Sequence, residues 1–261
     1  MTQDEAKRLV AKRAVEFVQD GMVVGLGTGT TATIFIRELA ACKLKIRCVA
    51  SSDASHELAA SLGMSVATLT ELPELDVYID GADEITRVPG VGFGLIKGGG
   101  GALLREKIVA SAAKSFIVVA DSTKMVDRLG RFPLPVEVIK MALPVVQPRL
   151  AALGLTPKLR MRKSISQGLK PLTFGEIRDA KAEALAYPEA KDEQQAMDNP
   201  QPFVTDEGNY ILDCACGRIE DPQRTAAAIR AVVGVVEHGL FLGMATLALV
   251  AGENGVSEYR A

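Results

Sequence analysis

The sequence carries almost no surplus of charge: 30 Lys and Arg stand against 32 Asp and Glu, a formal net charge of −2. Nothing in that balance supports a nucleic-acid footprint or a polybasic membrane anchor, so any anionic ligand must be held by a local arrangement. Long hydrophobic runs are missing as well. The most apolar stretches, Ser115–Ala120 and Ala245–Gly252, fall far short of the ~20 residues of a membrane span. The opening segment, MTQDEAKRLVAKRAVEFV, mixes charges through an amphipathic pattern and has no continuous apolar run, unlike a secretory signal. Histidine and cysteine are scarce, with two and four copies. Cys42, Cys48, Cys214 and Cys216 form no CxxC pair, which argues against a structural zinc site and for a reduced, cytoplasmic protein.

The apolar residues that are present fall into a repeating order. Ala6, Leu9, Val10, Ala14, Phe17 and Val18 are spaced for a helix. Residues 22–40 read as strand, glycine turn and helix, and 46–64 repeat that plan. Residues 77–85 read as a third strand ending in a polar loop, and 115–124 as a strand with polar residues at its C-terminal end. Strand and helix alternating in this way predict an α/β architecture with a parallel sheet, whose ligands sit beyond the carboxyl ends of the strands. Gly25–Thr31, Ser51–Asp53, Asp80–Asp83 and Asp121–Lys124 all lie at that end.

After residue 130 the order becomes β-α-β-β-α-β: strands at 131–139, 157–161, 210–216 and 235–241, helices at 142–154 and 221–234. This is the split βαβ, ferredoxin-like plan. Two units follow: residues 1–130 with 245–261, and residues 131–244, the final apolar segment returning to the first sheet. Residues 163–204, rich in Lys, Glu, Ala and Gln, read as a solvated insertion, with Glu176–Tyr187 capable of forming a helix.

Four stretches carry chemistry. Gly98-Gly99-Gly100-Gly101, entered from Lys97 and followed by a helix, offers bare backbone N–H groups to an anion or oxyanion, or else a flexible linker. Gly25–Thr31 lacks the third glycine of a dinucleotide fingerprint and the GK[ST] of a P-loop. Its Thr28, Gly29, Thr30 and Thr31 suit a single phosphate at a helix N-terminus, or simply a capped turn. Asp80-Gly81-Ala82-Asp83-Glu84 crowds three carboxylates, which raises at least one pKa toward proton transfer, although Asp83 or Glu84 could instead cap a turn. Lys97 and Lys124 could balance those carboxylates or a substrate anion. Glu106, by residue physics alone, reads more readily as an exposed glutamate of a surface helix.

Taken in order, GLGTGTT, SSDAS, YIDGADEI, LIKGGGGALLREKIVAS, ADSTK, FPLPVEV, VTDEGN and GVVEHGLF resemble the type A ribose-5-phosphate isomerase family over nearly the whole chain. The resemblance implies a Rossmann-like parallel-sheet domain with a smaller α+β ferredoxin-like lid domain, commonly as a homodimer or homotetramer. It implies interconversion of D-ribose 5-phosphate and D-ribulose 5-phosphate through a cis-enediolate, with neither metal nor organic cofactor. By motif, Glu106 becomes the general base. Thr28 to Thr31 and Lys124 take the phosphate, with Lys7 as a further candidate. Asp80, Gly81, Ala82 and Asp83 serve ring opening and the hydroxyls. Lys97, with Gly98, Gly99 and Gly100, stabilises the enediolate.

Two other classes share parts of the pattern. A coenzyme A transferase would use its glutamate as a nucleophile but would need an adenine-nucleotide loop, and none is evident. A sugar-phosphate sensor would expect a DNA-binding module where only about twenty residues precede the first strand. There are also departures from the family's pattern. It usually has three glycines and then two alanines, so Gly101 replaces an alanine and should loosen the cradle. The usual DNGN turn reads Asp206-Glu207-Gly208-Asn209, and Glu tolerates positive φ less well than Asn.

Overall fold

Strands that are apolar across their full width must be covered on both faces, and the central strands here are of that kind. Strand β1 (Val23–Leu26) is buried throughout, and β7 (Ala113–Asp121) is buried over its last six residues. The computed structural model describes residues 1–162 and 201–261. With β2 (Arg47–Ala50), β3 (Val66–Ala67), β4 (Leu75–Gly81), β13 (Leu247–Gly252) and β14 (Gly255–Arg260), these strands form a seven-stranded sheet. Its order is β14-β13-β7-β4-β1-β2-β3, and every pairing is parallel except that of β14, the antiparallel edge. The final apolar segment does return to the first sheet, as expected.

One face of the sheet is covered by α1 (Gln3–Val15), α2 (Thr30–Ala41) and α3 (Asp53–Ser61). A capping box between Thr2 and Glu5 starts α1, and the Ser52 hydroxyl accepts from the Ser55 N–H to start α3. The other face meets α4 (Leu103–Ser111), through Val109 and Ala110, and a small sheet that the sequence pattern does not announce. That sheet joins β5 (Glu84–Val88), β6 (Gly92–Ile96) and β12 (Leu240–Leu242) in the order β12-β6-β5, antiparallel throughout. The turn between β5 and β6 carries Pro89 and Gly90, the latter at φ 73° with Val91 N donating to Val88 O, a geometry suited to Pro-Gly.

The second unit matches its predicted plan. Strands β8 (Leu134–Val138), β9 (Thr156–Leu159), β10 (Tyr210–Ala215) and β11 (Val235–His238) form an antiparallel sheet of order β11-β8-β10-β9. Helices α5 (Leu143–Ala152) and α6 (Pro222–Arg230) cover it through Val146, Leu150 and Ile229. The segment Val235–Phe241, read as one strand, is two: β11 ends at His238, and the chain crosses at Gly239 into β12 of the other sheet. Most of the expected insertion at 163–204, including Glu176–Tyr187, lies outside the described residues. Its last part is described, and there Phe203 N donates to Arg160 O and Arg162 N to Gln201 O. All four cysteines are free thiols, with Cys48 and Cys214 buried in the cores. Among the described residues, no helix is long and apolar enough to cross a membrane.

Candidate active site

The carboxyl ends of β1, β4 and β7 open into a cavity of about 280 Å³. At one end stands the N-terminus of α2. Gly29 precedes that helix at φ 104° with no side-chain cap, so the first N–H groups of the helix, at Thr30 and Thr31, are left for a ligand. Lys7 from α1 and Lys124, in the 3₁₀ turn Ser122–Lys124, line the same end. The Asp121 carboxylate accepts from Thr123 N and fixes that turn. A helix N-terminus flanked by two lysines is suited to a phosphate group.

Thr28 lines the cavity with Gly29, Thr30 and Thr31 and is also tied from behind. Its hydroxyl lies within hydrogen-bond distance of Ser51 and Ser52, at 3.0 and 2.9 Å. The Ser51–Asp53 loop therefore does not line the cavity; it braces the threonine loop from behind.

At the other end lie three buried ionisable groups: Asp80, Lys97 and Glu106, none more than 2% exposed. The Lys97 ammonium donates to Asp80 Oδ2 and to Gly81 O, both at 2.6 Å, and stands 3.4 Å from Glu106 Oε2. Burial alone would lower the Lys97 pKa, but Asp80 and Glu106 outweigh it and hold the group above its ordinary value, hence charged. Glu106 goes the other way. Burial dominates, Lys97 only partly offsets it, and the carboxyl is pushed up to about 8. Its Oε2 has no hydrogen-bond partner among the described residues. A desolvated, underbonded carboxylate beside a fixed cation is suited to take a proton.

Asp80 does not take the place its motif suggests. It is fully buried and off the cavity wall, with its capacity taken up: Oδ1 accepts from Thr28 N and Gly81 N, and Oδ2 from Lys97 and the Tyr78 hydroxyl. In this arrangement it anchors Lys97 from behind the cavity wall. Asp83, with Gly81 and Ala82, does line the cavity, and its carboxylate accepts from Gly99 N at 2.8 Å. Glu84 points elsewhere and accepts from Gly130 N and Phe132 N, a structural tie to the second unit.

The glycine run is partly self-bonded. Gly99 N serves Asp83 and Gly101 N donates to Gly98 O, while among the described residues the N–H groups of Gly98 and Gly100 find no acceptor. Both residues line the cavity beside Lys97, Gly99 and Glu106. Gly101 does not loosen the cradle. It sits at φ 93°, and the Phe203 ring lies 2.4 Å from where a Cβ would be, so the ring occupies the space of the missing methyl. In the Asp206-Glu207-Gly208-Asn209 turn the positive φ falls on Gly208, at 77°, and Glu207 is spared.

The whole arrangement can be set beside known proteins. The family model described as ribose 5-phosphate isomerase A (phosphoriboisomerase A) matches residues 47–174 and 175–255. The chain belongs to that family. It is 45% identical over 258 residues to the ribose-5-phosphate isomerase A of Roseiflexus castenholzii, covering 97% of this chain and 94% of that protein. The solved ribose 5-phosphate isomerase A of Methanocaldococcus jannaschii superposes with a TM-score of 0.81 at 33% identity, covering all of both chains. A D-ribose-5-phosphate isomerase solved in complex with phospho-erythronic acid superposes with a TM-score of 0.82 at 31% identity, again over both full chains.

Several residues around this isomerase-family site escape a reading of the sequence. Tyr78 had a signal, since it stands two residues before Asp80 on one strand and so shares its face. Gln3, on the cavity wall, had none. Arg160 also had none: it arrives from the end of β9, paired with Asp213, and donates to Gly98 O at 2.9 Å.

Proposed function

We propose that this chain interconverts D-ribose 5-phosphate and D-ribulose 5-phosphate in the non-oxidative pentose phosphate pathway, with Glu106 as the base. The observation that carries the reading is the buried Glu106 carboxylate, raised to about 8 beside a charged Lys97, at the far end of the cavity from a phosphate-binding helix terminus. The phosphate docks on the α2 N-terminus with Lys7 and Lys124, which orients C1 and C2 toward Glu106. Glu106 takes the proton from C2 of the open aldose and returns it to C1, while the hydroxyl proton passes from O2 to O1. The cis-enediolate between these steps carries negative charge on O1 and O2. Lys97 and the free N–H groups of Gly98 and Gly100 are preorganised to meet it.

Phospho-erythronic acid, the ligand of one structural relative, has a carboxylate where such an intermediate would carry its two oxygens, and this supports the same reading. Asp83 takes the sugar hydroxyls and assists ring opening; Asp80 holds Lys97. No metal or organic cofactor enters the scheme. We assign the catalytic unit to residues 1–130 and 245–261 and the lid to 131–244, in a cytoplasmic homodimer or homotetramer. The test is conversion of ribose 5-phosphate to the ketose after EDTA treatment, with Glu106→Gln as the control. A Glu106→Gln variant turning over at the wild-type kcat would remove Glu106 from the base role.

A further inference from the structure

Lys107 follows the base directly on α4, about 100° further round the helix. It points away from the cavity, yet its side chain is only 16% exposed. Its ammonium uses all three of its protons. It donates to His238 O at 2.6 Å, Leu240 O at 2.9 Å and Glu237 Oε1 at 2.9 Å. Arg230 pairs with the other oxygen of Glu237, and the charged groups facing Lys107 are these two. His238 beside them is held neutral, since burial and the Lys107 charge push its pKa down to about 4. Nothing in the proton transfer uses this network.

What Lys107 grips is the crossover between the two sheets. Within it, Gly239 O accepts from Lys97 N at 2.9 Å and Gly239 N donates to Pro135 O at 2.8 Å. A Cβ at Gly239 would fall 2.2 Å from Lys97 O, so crossover and Lys97 backbone are in direct contact. The Phe241 ring lies under both ammonium groups, 4.7 Å from Lys107 and 5.5 Å from Lys97. Glu106 and Lys97 sit on different elements, α4 and the end of β6, which share no backbone pairing. The segment His238–Leu240 joins them, held from the helix side by the Lys107 ammonium and from the β6 side by the Lys97 peptide.

We infer that Lys107 is a positioning residue for the isomerisation: by clamping the His238–Leu240 crossover to α4, it sets the separation of Glu106 from Lys97. Lys107 and the His238–Leu240 crossover do not line the cavity, whereas Lys7, Thr30, Thr31 and Lys124 do, so phosphate binding does not pass through this clamp. The inference rests on Glu106 being the base. The charges that act most strongly on Glu106 are those of Lys97, Asp80 and Asp83, so a shift in its titration on altering Lys107 is read together with the split between kcat and KM.

The experiment compares Lys107→Met with wild type in the full chain, measuring kcat, KM for ribose 5-phosphate, the acid limb of the kcat/KM profile, and the folded fraction by circular dichroism. We expect kcat to fall at least about tenfold, since small misplacements of catalytic groups cost that much or more, with KM within about twofold. The acid limb moves to higher pH, because a more distant Lys97 favours the Glu106 carboxylate less. If Lys107→Met does not fold, Lys107→Gln, which keeps a donor, is measured in the same way. A folded variant whose kcat is unchanged, or whose acid limb stays or moves down, overturns the inference. So does a loss of kcat matching the loss of folded protein. Glu106→Gln run in parallel separates the two readings. If it keeps turnover, the base assignment falls and this inference with it; if it is inactive while Lys107→Met behaves as wild type, only this inference falls.

Discussion

Glu106 and Lys97 are 3.4 Å apart, each almost fully buried, yet they come from different elements and only Lys97 has a second carboxylate to lean on. Lys97 has Asp80 at 2.6 Å as well, so its ammonium keeps a partner when Glu106 takes up a proton. Glu106 is therefore free to gain and lose a proton without unbalancing the site.

The first prediction concerns pH. A base raised to about 8 is mostly protonated at neutrality, so kcat/KM should climb with pH and level off only above that value. Glu106→Gln should lower kcat by ~10²–10⁴ with KM within a few fold. A profile flat from pH 6 to 9 would contradict the titration assigned to Glu106.

The same shift bears on stability. The folded pKa lies above the unfolded one, so the contribution from Glu106 is fully present below about 4.5 and is lost as pH rises through about 8. Glu106→Gln carries no such loss. The inactive variant should match wild type in Tm at pH 4 and exceed it at pH 8.5, measured by thermal denaturation at both values.

Lys97→Met should behave in the opposite sense. It leaves Asp80 and Glu106 buried without their cation, a loss typically costing ~3–5 kcal/mol. The variant should have a much lower urea midpoint, and Asp80→Asn combined with Lys97→Met should recover part of it. A midpoint equal to wild type would mean that the ion pair adds nothing to the fold.

At the phosphate end, Lys124→Ala removes one charge-assisted contact, worth ~1.5–3 kcal/mol. Steady-state kinetics should show KM for ribose 5-phosphate rising about ten- to hundredfold with kcat little changed. Turnover of unphosphorylated ribose, which has nothing for Lys124 to hold, should not change. Equal losses on both sugars would place Lys124 elsewhere in the mechanism.

Gly101→Ala, which restores the residue usual in the family, should destabilise this protein. Its φ of 93° is left-handed, and the added methyl would meet the Phe203 ring. Left-handed strain alone costs ~1–3 kcal/mol. Phe203→Ala should relieve the collision in the double variant but leave the strain, a difference readable by chemical denaturation.

The residues that were legible in the sequence are those whose chemistry is local. Glycines before a helix, threonines at its start and apolar strands ending in aspartates each state their purpose within ten residues, and the parallel sheet and the β-α-β-β-α-β unit followed from their order. What stayed hidden was set by distance along the chain. Nothing around Asp80 says that all its hydrogen bonds are spent inside the protein, because Lys97 and Thr28 arrive from elsewhere. Residue physics made Glu106 an exposed glutamate, and only family resemblance moved it to the site. Its burial depends on β6 and β4, which local spacing does not reveal. The β5–β6–β12 sheet was missed because its third strand comes from 240–242, far from the hairpin it completes.

The position of β13 has a consequence for biosynthesis. It pairs with β7 on one side and β14 on the other, and α1 packs against it. A nascent chain therefore makes the helix first and the strand that α1 rests on near the end, after the whole four-stranded unit has emerged. Until then the larger sheet waits with β7 unpaired on one edge. Contacts of such long sequence separation slow folding and expose an unpaired strand edge in the interim.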